Sequence, residues 1–296
     1  MSILVNKNTK VIVQGITGRE ASGVVKDMLA YGTKVVAGVT PGKGGLEVEG
    51  VPVYDSFKEA MQNHEANTAL VYVPPFAAKE AVFEAVSNGI KVLDVITERV
   101  PVRDSVEMIS FAKKHEARII GPTSVGIITP GECKLGPIGG SNPDRVFAKG
   151  NVGVVSKSGG MTNETSWLVR QAGFGQSTAA GIGGDFVTGT SFAEFLQLFE
   201  QDKETKAIVL FGELGGVYEE QAAELIKKKI VTKPVIAFVA GKFSELMPQD
   251  TALGHAGAII EGGLGTPSSK IKALKDAGAL VARVHGEIPE LLKQVL

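Results

Sequence analysis

Short runs of β-branched and other apolar residues alternate along the chain with longer segments of helical periodicity. In the first half the runs cover residues 11–13, 35–37, 69–73, 92–96 and 119–120, and each precedes a turn that contains Gly or Pro. Continuous apolar strands joined by helices are typical of a parallel sheet that is buried on both faces. We therefore predict a doubly wound α/β unit that ends near Gly121, with its ligands at the carboxyl ends of the strands.

The same alternation begins again in the second half. Apolar runs cover residues 152–155, 207–210, 235–238 and 279–281, and segments such as 220–229 have helical periodicity. Thr266, Pro267 and Gly278 carry the signals of a helix start and a helix end. Residues 126–150 are rich in turn formers, which indicates a connection between domains. The pattern predicts two α/β domains, over residues 1–128 and 129–296.

Composition and charge exclude several classes of protein. A chain of 296 residues fits two domains, and 31 basic against 32 acidic residues, evenly spread, favour neither nucleic acid nor an anionic membrane as a partner. No apolar run approaches the roughly 20 residues that span a bilayer. Residues 1–8 lack the pattern of a secretory signal, so we expect a cytoplasmic protein. A single cysteine, Cys133, and four scattered histidines predict neither a disulfide nor a metal site.

A predicted phosphate site follows the first strand. Residues 14–20, Gln-Gly-Ile-Thr-Gly-Arg-Glu, open a helix, where backbone N–H groups and the helix dipole favour an anion. The segment lacks the full dinucleotide fingerprint, and Lys43 follows the second strand where an acidic residue would hold an adenine ribose, which disfavours NAD. Lys43 suits a further phosphate, as on a 3′-phosphorylated ribose, although residues 42–45 also fit a simple surface turn.

Three segments of the second half suggest phosphoryl transfer. His255 lies in Gly-His-Ala-Gly-Ala-Ile-Ile, whose small residues leave room for a phosphate on the ring. Residues 158–160, Ser-Gly-Gly, form a turn between a strand and a helix, where free amides bind phosphate. Glu213, in Gly-Glu-Leu-Gly-Gly, could accept the other imidazole N–H and so fix which nitrogen attacks. Taken alone, the small residues also suit tight packing, and Glu213 also suits a solvated turn.

These segments together resemble the α subunits of succinyl-CoA synthetases, in the same order, with nearly the same spacing and over practically the whole chain. The resemblance implies an α/β protein with an N-terminal Rossmann-like CoA-binding domain, followed by a flavodoxin-like doubly wound phosphohistidine domain. By this resemblance His255 and Glu213 are catalytic. The residues implied for coenzyme A are Thr17, Gly18, Arg19, Glu20, Lys43, Ile96, Thr97 and Glu98, and those implied for the phosphate or the acid are Ser158, Gly159, Gly160 and Asn163.

The chemistry that the resemblance implies is the ligation of a small carboxylic acid to coenzyme A through phosphohistidine and acyl phosphate intermediates. ATP or GTP, with Mg²⁺, would be bound by a separate β-type ATP-grasp subunit in an αβ or α2β2 complex. Succinate is the acid expected for the family. Asn163 stands where the family carries Tyr, and Gly160-Met161 resemble ATP-citrate lyase, so citrate or another substituted acid is an alternative. A non-catalytic CoA-binding regulatory module and an NAD(P) oxidoreductase are alternatives of other classes.

Overall fold

The computed structural model of the chain describes residues 3–247, His255, Gly257 and 265–296. The other residues of the predicted histidine motif, 254, 256 and 258–260, lie outside the described residues. Residues 250–253, which precede this motif, lie outside them as well. Within the described ranges two seven-stranded sheets are flanked by helices, which confirms the predicted α/β class.

The first sheet has the strand order β3-β4-β2-β1-β5-β6-β7, and all its neighbouring strands are parallel except β3 and β4. Without β3, this is the Rossmann order, in which the winding direction reverses between β1 and β5 and opens a crevice there. The strands are β1 (Lys10–Gln14), β2 (Lys34–Val39), β3 (Glu47–Val48), β4 (Val51–Tyr54), β5 (Thr68–Val71), β6 (Val92–Val95) and β7 (Arg118–Ile120). The helices are α1 (Arg19–Ala30), α2 (Phe57–Asn63), α3 (Ala78–Ser87) and α4 (Val102–Lys114).

The second sheet has the order β14-β13-β12-β10-β11-β8-β9. Its parallel part, β10 to β14, is wound as in flavodoxin, with the reversal between β10 and β12. The strands are β8 (Gly126–Thr129), β9 (Cys133–Leu135), β10 (Lys149–Ser156), β11 (Gln176–Gly181), β12 (Ala207–Gly212), β13 (Val235–Val239) and β14 (Leu280–Val281). The helices are α5 (Gly159–Gln171), α6 (Phe192–Gln201), α7 (Tyr218–Lys227), α8 (Pro267–Ala277) and α9 (Ile288–Lys293).

The prediction that residues 126–150 are only a connection is wrong. β8 pairs antiparallel with β11, and β9 with β8, so this stretch extends the second sheet. The reason is burial, because Ile127, Ile128 and Leu135 are fully buried, while most of the turn formers lie in the bend between the two strands and in the loop after β9. The division after residue 128 stays a prediction, and it falls within β8. β11 was also not predicted, because its sequence Gln-Ser-Thr-Ala-Ala-Gly contains no β-branched apolar run.

The ends of the elements follow local chemistry. The Thr266 side chain accepts a hydrogen bond from the Ser269 N–H, Pro267 begins α8, and Gly278 ends it with φ of 98°, as predicted. Hydrogen bonds to backbone carbonyls join the two units, since the Gly189 N–H donates to the Gly121 carbonyl at 2.8 Å and Thr190 Oγ1 donates to the Ile119 carbonyl at 2.6 Å. No helix in residues 3–247 or 265–296 is both long and apolar enough to cross a bilayer.

Candidate active site

A cavity of about 980 Å³ lies between the carboxyl ends of the strands of the first sheet and the start of α5 in the second unit. Both units contribute to its wall, which is therefore assembled only when they pack together. Eleven of the fourteen predicted site residues line this cavity. They are Thr17, Gly18, Arg19, Glu20, Ile96, Thr97, Glu98, Ser158, Gly159, Gly160 and His255.

The turn between β1 and α1 forms one end of the cavity. Gly15 has φ of +81°, and a Cβ there would lie 2.5 Å from the Tyr72 carbonyl oxygen, so only glycine fits. Gly18 caps α1 without any side-chain hydrogen bond. The first N–H groups of a helix have no partner within the helix, so these amides can bind an anion in the cavity.

Two threonine side chains join neighbouring loops at the carboxyl ends of the strands of the first sheet. Thr17 Oγ1 donates to Thr40 Oγ1 at 3.2 Å, which joins the turn after β1 to the turn after β2. Thr97 Oγ1 donates to the Val73 carbonyl at 2.7 Å, which ties the end of β6 to the loop after β5. Lys43 is not part of the cavity wall. It is exposed in the turn that begins at Thr40, where its N–H donates to the Thr40 carbonyl at 3.1 Å.

The start of α5 forms the wall of the cavity in the second unit. Its N-cap, Ser158, makes no side-chain capping bond, and the first turn contains no acidic residue. The backbone amides of Gly159 and Gly160 therefore meet the cavity at the positive end of the helix dipole. A Cβ at Gly159 would lie 2.9 Å from the Val125 side chain, so a small residue is needed for this close packing. This helix start has the chemistry of a phosphate or carboxylate site.

His255 lines the cavity, and its ring is hydrogen-bonded to Glu213, the residue that follows β12. The two carboxylate oxygens of Glu213 lie 2.8 and 2.9 Å from His255 Nδ1. The His255 side chain is 37% exposed and that of Glu213 is 11% exposed. The hydrogen bond to Glu213 raises the pKa of His255, although burial of the ring opposes this. With Nδ1 engaged, Nε2 is the ring nitrogen that remains for a reaction in the cavity.

The ring also lies against residues from the loop after β11. A Cβ at Gly184 would lie 2.9 to 3.0 Å from ring atoms of His255, so glycine is required at this contact. The Gly257 N–H donates to the Gly184 carbonyl at 3.1 Å, which holds the histidine segment to this loop. Gly184 is not among the site residues that we predicted from the sequence. The glycine pair at 183–184, directly after a strand, was the signal that could have identified it.

Asn163 does not line the cavity. Its Oδ1 accepts a hydrogen bond from the Gly139 N–H at 3.0 Å, and its Nδ2 lies 3.5 Å from the Gly159 carbonyl. Asn163 therefore holds the loop that contains Pro137, and Pro137 does line the cavity. A direct contact between Asn163 and the acid stays a prediction.

Lys157 is a further residue of this region that is not among the site residues predicted from the sequence. It follows β10, its side chain is 1% exposed, and its Nζ lies 3.8 Å from Glu213 Oε1. The sequence signal was weak, since a lysine between Ser156 and Ser158 is also typical of a solvated turn.

Comparisons with known proteins show the family to which the chain belongs. A family model described as "CoA binding domain" matches residues 6–99, and one described as "CoA-ligase" matches residues 155–280. The chain is 52% identical over 297 residues to succinate–CoA ligase [ADP-forming] subunit alpha 2 of Archaeoglobus fulgidus, covering 100% of both chains. It is 44% identical over 298 residues to a subunit of an ADP-forming sulfoacetate–CoA ligase from Acholeplasma sp, covering 100% of this chain and 98% of the relative.

A solved structure has the same fold. The chain superimposes with a TM-score of 0.93 on ATP citrate lyase from Methanothrix soehngenii in complex with citrate and coenzyme A, at 30% identity. The match covers 99% of this chain and 50% of the lyase chain, so this chain spans about half the length of that protein.

Proposed function

The chain belongs to the family of α subunits of succinate–CoA ligases and related CoA ligases, and from this premise we propose that it joins succinate to coenzyme A together with a β-type ATP-grasp subunit. The observation that carries the proposal is His255. It faces a cavity shared by a CoA-binding unit and a helix start suited to phosphate, while Glu213 holds its Nδ1. An acid–thiol ligase of this family would use that ring as a temporary phosphate carrier.

The proposed reaction has three steps. First, His255 Nε2 attacks the γ-phosphorus of the nucleotide, a P–O bond breaks, and the nucleoside diphosphate leaves. Second, a carboxylate oxygen of the acid attacks this phosphorus, the P–N bond breaks, and an acyl phosphate forms. Third, the thiol of coenzyme A loses its proton and attacks the acyl carbon, the C–O bond breaks, and inorganic phosphate leaves. The amides of Gly159 and Gly160 would stabilise the negative charge of the phosphoryl group during these steps.

We propose that coenzyme A lies across the first unit. The uncapped start of α1 at Gly18 offers amides to its diphosphate, with Thr17, Arg19 and Glu20 beside them. Lys43 would contact the 3′-phosphate from its exposed turn, and Ile96, Thr97 and Glu98 would hold the pantetheine arm that leads to His255. The nucleotide and its Mg²⁺ would be bound by the β subunit in an αβ or α2β2 complex.

Succinate is the favoured acid because the 52% identical relative carries succinate in its name. Two other acids have specific support. The relative at 44% identity is named for sulfoacetate, and the structural neighbour at 30% identity contains citrate. Both named relatives are ADP-forming, which favours ATP over GTP as the nucleotide.

The test is phosphate labelling of the full chain with a cognate β subunit and γ-labelled ATP. We expect an acid-labile, alkali-stable label on this chain, and we expect His255→Asn to abolish it. The matched control is His115→Asn, since His115 is exposed and, within the part of the chain that the structure describes, its Nδ1 contacts the Phe111 carbonyl of its own helix end. A label that persists in His255→Asn would refute the proposal.

A coupled assay of ADP release would then identify the acid. The assay compares succinate, malate, citrate and sulfoacetate at equal concentration in the presence of coenzyme A. We expect the highest kcat/KM for succinate, and a higher value for citrate or sulfoacetate would replace succinate in the proposal.

A further inference from the structure

Lys157 is a buried cation beside Glu213, the residue that contacts His255. Its side chain is 1% exposed, and its Nζ lies 3.8 Å from Glu213 Oε1 and 5.9 Å from the centroid of the Tyr218 ring. Burial of an ammonium group is unfavourable unless an anion or an aromatic face compensates it. At 3.8 Å the two groups form an ion pair but no short hydrogen bond, so Glu213 keeps both oxygens for His255.

The backbone of Glu213 is fixed separately by a second buried pair. Lys270 donates to Glu219, and both side chains are 0% exposed. Glu219 in turn accepts the Glu213 N–H at 3.0 Å, while Lys270 also lies 3.4 Å from Glu220. This second pair holds the main chain at Glu213. The charge that faces the Glu213 carboxylate itself comes from Lys157.

We infer that Lys157 is a positioning residue for phosphoryl transfer, because its buried ammonium pairs with the Glu213 carboxylate and holds it aligned while reducing the negative charge that acts on the His255 ring. This inference rests on the proposed function. Glu213 alone would hold the ring but would also favour protonation of Nε2, and a protonated Nε2 has no electron pair with which to attack phosphorus. Lys157 would keep the orienting hydrogen bond and reduce that protonation.

The charges around the two groups support this assignment. Glu213 and Asp185 raise the pKa of His255, whereas burial and Lys157 lower it. Burial lowers the pKa of Lys157, while Glu219, Glu213 and Glu220 oppose that change and Lys270 adds to it. Burial raises the pKa of Asp185, and Glu98, which is exposed at the cavity, adds to this rise.

The test replaces the cation and follows the titration of the ring. In Lys157→Met we expect the pKa of His255 to rise by about one unit, as is usual for the loss of a nearby charge. The pKa is measured by NMR on the full chain without nucleotide, with the His255 signal assigned from His255→Asn. The low-pH limb of phosphate labelling, normalised to its plateau, should move up by the same amount, so that labelling at pH 6 falls about tenfold. Lys157→Arg should restore both values.

Lys134→Met is the matched control for the loss of a buried lysine. The Lys134 side chain is fully buried, but its Nζ contacts the Gly140 carbonyl and no carboxylate in the described residues. We expect it to lower stability without moving the titration of His255. If Lys157→Met does not fold, Lys157→Gln supplies the neutral side chain.

The outcomes separate the two proposals. An unchanged His255 pKa in the neutral Lys157 variants, or a shift in Lys157→Arg equal to that in Lys157→Met, would overturn the inference about Lys157. Absence of label on the unmodified chain at every pH would instead overturn the proposed function, and the NMR titration would still report the electrostatic contact.

Discussion

Asp94, in β6 beside the cavity, is a buried acid whose replacement should change how stability depends on pH. Its side chain is 0% exposed, and neither carboxylate oxygen accepts a hydrogen bond from the residues that the structure describes. Burial raises the pKa of Asp94 to about 8, and the neighbouring Ser124 hydroxyl offsets only part of this. That hydroxyl already donates its proton to the Gly181 carbonyl at 2.8 Å. We therefore expect Asp94 to be protonated in the folded protein at neutral pH.

The size of the effect follows from the difference between the folded and unfolded states. The unfolded carboxyl has the ordinary pKa of 3.8, so between pH 3.8 and 8 the folded state binds one proton more than the unfolded state. Stability therefore falls as pH rises through this range, by about 1.4 kcal/mol per unit. Over the whole range the loss amounts to about 6 kcal/mol, of which about 4 kcal/mol occurs between pH 5 and pH 8.

Asp94→Asn removes this titration while keeping the shape of the side chain. We expect the stability of the variant relative to the unmodified chain to increase by about 4 kcal/mol between pH 5 and pH 8. Urea unfolding at four pH values, followed by circular dichroism, measures this difference, and the other titrating groups cancel in the comparison. Asp144→Asn, at an exposed position, is the control for the replacement of an aspartate by an asparagine. A difference for Asp94→Asn that is the same at pH 5 and pH 8 would refute the reasoning.

Two further predictions concern the histidine. Glu213→Gln keeps a hydrogen-bond partner for Nδ1 but removes the negative charge of that partner. We therefore expect NMR titration to show a lower pKa of His255, and rapid-quench experiments to show labelling slowed by about 10- to 100-fold. An unchanged labelling rate would contradict this. Gly184→Ala adds a Cβ within 3.0 Å of the ring, and we expect at least about tenfold slower labelling with unchanged coenzyme A affinity by calorimetry. Wild-type labelling in that variant would show that the contact is unimportant.

The pairing of Glu213 with His255 shows how much of the site could be predicted from the sequence. A glycine-rich strand end marked Glu213 and a run of small residues marked His255 as candidates, and the structure brings them within 2.8 Å although they are 42 residues apart. Their catalytic roles stay predictions. Lys157 and Asp94 could not be identified in this way, because their properties come from burial by distant parts of the chain. A lysine in a serine turn and an aspartate in a strand give no local sign that no water will reach them.

The sequence by itself determined the two α/β units, the strands with apolar runs, the helix that starts at Pro267, and the glycine-rich turns that could bind phosphate. These features depend on periodicity, capping and backbone freedom, which are properties of neighbouring residues. Only the tertiary structure decided that β8 and β9 extend the second sheet, that Asn163 lies outside the cavity wall and holds the loop that contains Pro137, and that the ends of both units share one cavity. Such features depend on which distant segments pack together, and the order of strands in a sheet is fixed by contacts that no local pattern contains.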